Sequence, residues 1–584
     1  MDKVPKIILI AMPFFDYRLP SAQIAVLKSY LEEKGVIVFS IYAYLDFYKI
    51  VGEKYCDILN KSQISEWMYI SSVYPDRYKE NKKEIESQLR CELGFSQEEL
   101  YDCYNRIQEF NRNLLLKIES YKCDLIGFSI TYNQLLPTLF IAKELKERDD
   151  RKKIILGGSR VKGELGLSLI NKKNYFDHII SGEGEVTLLR YVQDYYFNRF
   201  SGKYINSKFI ETKENVCLDE LPVPDYSDYF KDIRQYNIEE TEMILFYEVA
   251  RGCWWNRCTF CSSSRLYSEY REKTPRKVAQ DLQLLASKYN DIKIWLLGDC
   301  YTFKSYIELS KLIRKQKIKY NFIVYSRCST DYNYYKALKE MGAKSIIVGI
   351  EALSDNLLKK MDKGCNVIRN MQCLKYCVEL KLGCTYNLFY SYPNFTKEDF
   401  KEMMNSIDYV SGYQPPESLC DMELQYGSRV YKNPRDFCIE QVVPSKKEQM
   451  ILPVNAKTFL YDYIKKNKMV YYSKRIIKKV KKWNSIYEKR GMSNILTFEI
   501  KENQIWINDN RKTFWHINSK YILKGKEIEI FLFCRRIRSL KEVRDKFSGK
   551  DTSSIIKKLK KKKLMYVSKT ECLTLPVERR EDYW

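Results

Sequence analysis

At 584 residues and roughly 100–200 residues per domain, the chain is long enough for several domains. Its 45% hydrophobic and 14% aromatic content, with 22 Gly and 15 Pro, excludes a disordered, collagen-like or low-complexity protein. The only two histidines, His178 and His516, exclude a three-His metal site and a two-His facial triad, and they argue against a His-dependent hydrolase.

The 18 cysteines form no dense framework, and no secretory signal accompanies them, so they read as reduced thiols in a cytoplasmic protein. Residues 6–15 are apolar but contain Pro13 and run into Asp16, which fits a first β-strand rather than a signal peptide. No run approaches transmembrane length. The net charge of +25 would suit an anionic partner. Abundant lysine, isoleucine, asparagine and tyrosine give the same charge from an AT-rich coding bias alone, and that is the reading preferred.

Residues 6–12 are apolar, residues 21–34 place Ile24, Leu27 and Leu31 at helical spacing before Gly35, and residues 36–44 are apolar again. That pattern is a βαβ unit. Residues from about 45 to 121 are polar, tyrosine-rich and helical in pattern, and read as an insertion. The alternation resumes with a strand over 124–130, a helix over about 134–148, a strand over 153–156 and another over 177–180. Such a chain predicts a doubly wound parallel sheet with its ligand at the carboxyl ends of the strands. Ser129, Thr131, Gly157, Gly158 and Gly182 stand on those loops. Glycine there fits close approach of a bulky ligand, and it fits an ordinary tight turn equally.

The one strong chemical motif lies at the centre. A strand over 243–250 runs into Cys253-Trp254-Trp255-Asn256-Arg257-Cys258-Thr259-Phe260-Cys261, a C-x4-C-x2-C loop. Three thiolates leave one metal position open, whereas a closed structural zinc site wants four ligands. Strands near 292–297, 321–326, 345–350, 384–390 and 418–424 follow, with helical segments between them, making six β/α repeats. Parallel barrels carry function at the carboxyl ends of their strands, where the Cys loop, Gly298-Asp299, Arg327 and Gly349-Ile350-Glu351 fall.

On these residues the sequence resembles a radical S-adenosylmethionine (SAM) enzyme with an N-terminal cobalamin-binding domain. The resemblance is closest to the branch that matures ribosomally made peptides (RiPPs). It rests on Cys253-Trp254-Trp255, Cys258-Thr259-Phe260-Cys261, Tyr270-Arg271, Gly349-Ile350-Glu351, Lys363-Gly364 and Asn387-Leu388, and it covers residues 1–440 approximately. The resemblance implies that Cys253, Cys258 and Cys261 hold a [4Fe–4S] cluster whose open iron binds S-adenosylmethionine. By position it also implies SAM contacts from Phe260, Gly298, Asp299, Arg327 and Glu351. Gly127-Phe128-Ser129, Leu156-Gly157-Gly158 and Gly182-Glu183-Gly184-Glu185 resemble the cobalamin domain, which adds Glu183 to Ser129, Thr131, Gly157, Gly158 and Gly182 as cofactor-binding candidates. Two departures stand out. The first cysteine gap is one residue longer than the usual C-x3-C-x2-C, and the Asp-x-His-x-x-Gly signature is missing, so a bound cobalamin is expected without a protein histidine on its lower face.

Beyond residue 435, a basic helical connector over 461–482 is expected, and after residue 494 the order of strands and helices resembles a winged helix. Cys365, Cys373, Cys377 and Cys384 read as scattered buried thiols rather than a second cluster. The expected domains are a Rossmann-like (flavodoxin-like) cobalamin-binding domain over 1–205, a linker over 206–240, a partial (β/α)6 TIM-type barrel over 241–435, a connector over 436–493 and an α+β winged-helix-like domain over 494–584. The expected activity is cobalamin-dependent C-methylation of a precursor peptide, with a flavodoxin or ferredoxin as electron donor and neither nucleic acid nor membrane as partner. Epimerisation, crosslinking or RNA modification without methyl transfer is the alternative, and a redox-sensing iron–sulfur regulator that binds nucleic acid is the alternative of another class.

Overall fold

The structure, a computed structural model, describes the chain apart from residues 1–3, 171–174, 214, 290–291, 453–455, 465–466, 491–494, 512–518, 550 and 580–584. His516 and the expected boundary at 494 lie outside the described residues. The chain divides into two compact units. The first comprises residues 1–250, 266–297 and 443–462, and the second comprises 251–265, 298–442 and 463–584.

A six-stranded sheet dominates the first unit. Its strands are β1 (Lys6–Ala11), β2 (Ile37–Tyr42), β3 (Leu125–Ser129), β4 (Lys153–Gly157), β5 (His178–Ser181) and β6 (Phe209–Glu211), in spatial order β2-β1-β3-β4-β5-β6. The strands pair in parallel throughout, with Ile8 opposite Phe39 on one side and Ile126 on the other. Ile7, Ile8, Leu9 and Ile10 are all buried, because helices cover both faces of a parallel sheet. The order reverses between β1 and β3, and in such a sheet the crevice outside the carboxyl ends at that point is the ligand site. β6 was not anticipated, since Phe209-Ile210 is too short to show periodicity.

The helical insertion is present as Ala43–Val51, Glu53–Lys61, Pro75–Leu93 and Gln97–Ser120, joined by shorter turns. Ser96 and Glu99 form a capping box that starts the longest of these helices. Leu100, Cys103, Ile107, Phe110, Leu114 and Ile118 recur at helical spacing and share one core with Ile8, Ile10, Ile126 and Phe128 of the sheet. The same unit holds β7 (Ile244–Glu248) and β8 (Lys293–Leu297), paired parallel.

The second unit contains β9 (Phe322–Ser326), β10 (Ala343–Val348) and β11 (Gly383–Thr385), again parallel. The expected strand over 384–390 divides at Tyr386. β12 (Asn387–Phe389) turns away to pair with β13 (Ser418–Cys420), while the Tyr386 ring is buried and its hydroxyl donates to Gln414 O at 2.9 Å. Helices Phe303–Lys315, Tyr332–Glu340, Asp355–Lys360, Val367–Glu379 and Lys397–Val410 are each opened by a side-chain cap, from Thr302, Asp331, Ser354, Asn366 and Thr396 respectively. These caps fix where helices begin and therefore hold the strand-end loops in shape.

At the C-terminal end, Leu496–Lys501 and Gln504–Asp509 form a hairpin whose turn residues Glu502 and Asn503 both have positive φ, as a two-residue primed turn requires. Ser519–Leu523 joins the hairpin's second strand. Helices Lys526–Phe533, Leu540–Lys546 and Asp551–Lys561 and the paired strands Met565–Val567 and Glu571–Thr574 follow. One expectation is corrected. Leu460–Tyr463 is a strand, so the connector helix begins only at Asn467. Cys373, Cys377 and Cys384 are buried and Cys365 is half-buried, and among the described residues they form no group that could hold a metal ion.

Candidate functional site

The second unit gathers the cysteine loop and its surroundings. Cys253 continues from the strand end and bridges to Cys300 in parallel fashion. Gly252 and Asn256 take positive φ of 79° and 44°, which lets the loop turn back within a few residues. Cys253, Cys258 and Cys261 are free and half-buried, and burial, with smaller contributions from Cys258, Asp299 and Cys253, pushes the Cys261 thiol up to about 11. The Ser263 N–H, 3.4 Å from the Cys261 sulfur, acts in the opposite direction. Burial likewise raises the Cys258 thiol, and Lys363 and Arg327 counter it.

Residues 360–364 clamp this loop. The Thr259 N–H donates to Met361 O at 3.0 Å, its hydroxyl to Lys360 O at 3.2 Å, and the Trp255 indole N–H to Asp362 O at 2.8 Å. Gly364 has φ of +70°, and a Cβ there would fall 2.2 Å from the Trp255 ring. Only glycine lets the indole lie flat at that point. Lys363 is 6% exposed and its ammonium sits 3.0 Å from Glu351 Oε1, while a Cβ on Gly349 would reach within 2.5 Å of the Lys363 nitrogen. Burial acts to lower the Lys363 pKa, but the Glu351 carboxylate and Cys258 leave it raised overall. The two short motifs around Gly349 and Gly364 are therefore halves of one arrangement.

Arg327 donates to Lys363 O and lies over both indoles, 4.7 Å from the Trp255 centroid and 5.3 Å from that of Trp254. Asp299 accepts the Ser263 hydroxyl, and burial raises its pKa. Phe260 packs edge-on against Phe389 at 5.2 Å, with the Lys363 ammonium 5.7 Å from its centroid. Thus Phe260, Asp299, Arg327 and Glu351 are all brought to the cysteine loop or to Lys363, and Gly298 precedes Asp299 at the end of β8. Lys363 itself, Ser263 and the tryptophan pair were not identified as site residues from sequence. Lys363 was legible only as half of a Lys-Gly dipeptide.

The donor chemistry fits a thiolate-bound cluster. Three thiols on one loop interact electrostatically, with two cations, Lys363 and Arg327, beside Cys258. Among the described residues, no three His, Cys, Asp or Glu side chains are close enough to ligate a single metal ion. A cluster takes one thiolate at each of several irons and so spaces its ligands more widely than a zinc ion does.

In the first unit the expected cofactor-binding residues all stand at the carboxyl edge of the sheet. Ser129 ends β3, and Thr131 follows it, holding Gln134 Oε1 through its N–H at 2.9 Å and its hydroxyl at 2.7 Å. Gly157 ends β4. Gly158, at φ +99°, is glycine because a Cβ would lie 2.4 Å from Ile130 O. Gly182 follows β5 at φ +121°, and Glu183 pairs with Arg271. His178 opens β5 at the opposite, amino edge, with Nδ1 3.0 Å from Ser207 O, and burial lowers its pKa. Glu66, from the helical insertion, caps the helix that follows β3 at the crevice and had no sequence signal at all.

Residues 247–407 match the radical SAM superfamily. An uncharacterised methyltransferase of Pyrococcus horikoshii is 25% identical over 315 residues, 50% of this chain and 67% of that protein. The hopanoid C-3 methylase of Methylococcus capsulatus is 22% identical over 307 residues, so the chain spans 58% of its length. Among solved structures, the cobalamin-dependent SAM radical enzyme OxsB, with aqua-cobalamin and SAM bound, superposes with a TM-score of 0.57 at 13% identity, covering 83% of this chain and 71% of that one. The radical SAM methyltransferase TsrM from Kitasatospora setae, with cobalamin and a [4Fe–4S] cluster bound, gives 0.54 at 11% identity, covering 81% and 91%. At these identities the superpositions speak for the fold.

Proposed function

Because residues 247–407 of this chain are a radical SAM domain, we propose that the protein is a cobalamin-dependent radical SAM methyltransferase acting on an unactivated carbon of a ribosomally made precursor peptide. The observation that carries the reading is the cysteine loop clamped beside Lys363, Arg327 and Asp299, an open three-thiolate site on a parallel β/α frame. When bound, the cluster and SAM supply a carbon-centred oxidant and cobalamin supplies the methyl group.

Cys253, Cys258 and Cys261 would hold the cluster. Lys363 and Arg327 place positive charge beside Cys258 and favour its thiolate, which ligation needs. Asp299, held by Ser263, is placed to accept from an ammonium, and Glu351, turned by its φ of +60°, to accept from hydroxyls. The paired rings Trp254–Trp255 and Phe260–Phe389 would help keep water from the bound cofactors. The crevice between β1 and β3 would hold cobalamin, and with His178 at the other edge the lower face would meet no described histidine.

Peptide as the substrate class rests on the likeness of the Trp254-Trp255 loop to the RiPP branch and on the winged module at the C-terminal end. The test is anaerobic turnover of reconstituted protein with cobalamin, SAM, reductant and short precursor peptides encoded beside its gene. Equal formation of 5′-deoxyadenosine and S-adenosylhomocysteine with a methylated peptide supports the reading. Deoxyadenosine without S-adenosylhomocysteine would indicate epimerisation or crosslinking instead.

A further inference from the structure

The cysteine loop has a second anchor besides residues 360–364. The Ser262 hydroxyl donates to Gln425 Oε1 at 2.8 Å, the Val430 N–H to Thr259 O at 3.0 Å, and Arg429 Nη1 to Arg257 O at 3.0 Å. Ser428 caps the turn Arg429–Lys432 by accepting the Tyr431 N–H at 3.2 Å, so Arg429 is held where that turn meets the loop.

Two guanidinium groups converge on the solvent side of this junction. Arg257 Nε lies 3.4 Å and Arg429 Nη1 2.9 Å from the same oxygen, Asp362 Oδ2, and the two side chains are 63% and 54% exposed. One carboxylate between two cations leaves a net positive charge. Arg257 also lies over the Trp255 ring, 5.2 Å from its centroid. The surrounding sequence adds to the charge. Residues 251–265 contain Arg251, Arg257 and Arg265 and no acid, and residues 425–435 contain Arg429, Lys432 and Arg435 and no acid. Lys432 and Arg435 are exposed as well. Arg257 directly precedes Cys258, so this patch is the outer surface of the loop that carries the thiols.

We propose that Arg257 and Arg429, with Lys432 and Arg435 beside them, form the docking surface for a small acidic one-electron carrier protein of the flavodoxin class. The inference rests on the radical SAM reading above. Electron transfer slows exponentially with distance, so a donor to a cluster on this loop has to dock on the surface directly over it. Redox encounters use small interfaces, and charge complementarity supplies their on-rate and orientation. An exposed basic patch free of acids other than Asp362 across these segments complements an acidic carrier. The carrier's anionic flavin hydroquinone gives up one electron and becomes the neutral flavin radical, with no proton released. The [4Fe–4S]2+ cluster takes that electron and becomes [4Fe–4S]+.

The test uses full-length, anaerobically reconstituted protein with flavodoxin as the probe. Binding of oxidised flavodoxin is read by calorimetry, and cluster reduction by flavodoxin hydroquinone is read by stopped-flow absorbance. Both are expected to weaken about tenfold as salt rises from about 0.05 M to about 0.5 M, where the screening length falls below about 5 Å. The double variant Arg257→Gln/Arg429→Gln is expected to lose about tenfold in affinity and in second-order reduction rate at low salt, and Arg257→Lys/Arg429→Lys to keep both within about twofold. Reduced methyl viologen, a small carrier that needs no docking surface, should reduce the wild type and the Gln variant alike, and their iron contents should match. Unchanged flavodoxin binding and reduction in the Gln variant, or a wild type that does not bind flavodoxin, would overturn the docking surface. Loss of iron or of methyl viologen reduction in the Gln variant would overturn it too, by showing that the arginines only hold the loop. A wild type with no cluster that methyl viologen can reduce would instead overturn the radical SAM reading.

Discussion

The Lys363 ammonium lies 3.0 Å from Glu351 Oε1, and the two side chains are only 8% and 15% exposed. Removing one partner of a buried pair leaves an uncompensated charge, which costs about 3–5 kcal/mol at full burial. Lys363→Met is therefore expected to destabilise the protein by about 3 kcal/mol at pH 7, read from denaturant unfolding, because it strands Glu351. It also removes a positive charge beside Cys258, so the reconstituted cluster should have a lower reduction potential than the wild type. An unchanged midpoint in both measurements would show that the pair is incidental.

Gly364→Ala drives a Cβ to 2.2 Å from the Trp255 ring at a backbone φ of +70°. The ring has to leave its bond to Asp362 O. The expected cost is about 2 kcal/mol or more, with iron content of the reconstituted protein falling by half or more. Gly163→Ala, at φ +63° with nothing within 4 Å, is the control for positive φ alone and should keep its iron.

Cys300 bridges to Cys253 by backbone pairing but is fully buried, and burial pushes its thiol up to about 12. Cys300→Ala should retain the iron and sulfide of the wild type, whereas Cys258→Ala should lose most of both. Equal losses in the two variants would make Cys300 a fourth ligand and close the site.

Lys375, on the helix Val367–Glu379, is fully buried and donates to Arg535 O at 2.8 Å and Thr574 O at 2.7 Å. Burial lowers its ammonium to about 8, only partly opposed by Glu379. An unfolded lysine titrates near 10.4, so between about pH 8 and 10.4 the unfolded chain binds more protons and stability rises with pH. The full rise is about 3 kcal/mol. Guanidinium unfolding at pH 8 and pH 10 should show it as a difference between wild type and Lys375→Met, and parallel curves would refute it.

Much of this was legible in the sequence because it is local. The β1 run and the nine-residue cysteine loop each declare themselves within a few residues. Contacts made by distant segments were not legible. Glu66 reads as one acid in a helical insertion, and only folding brings it to the helix after β3. The strand Leu460–Tyr463 hides in a basic stretch whose neighbours favour helix. Tyr386 splits a strand because β12 finds a different partner from β11.

The central claim is a cluster on Cys253, Cys258 and Cys261 with one iron open to SAM. The most direct measurement is the electron paramagnetic resonance spectrum of the reduced, anaerobically reconstituted protein before and after SAM is added. The account predicts a [4Fe–4S]+ signal that shifts on addition and is lost in Cys258→Ala. A cluster signal unchanged by SAM, or one that survives in Cys258→Ala, would contradict it.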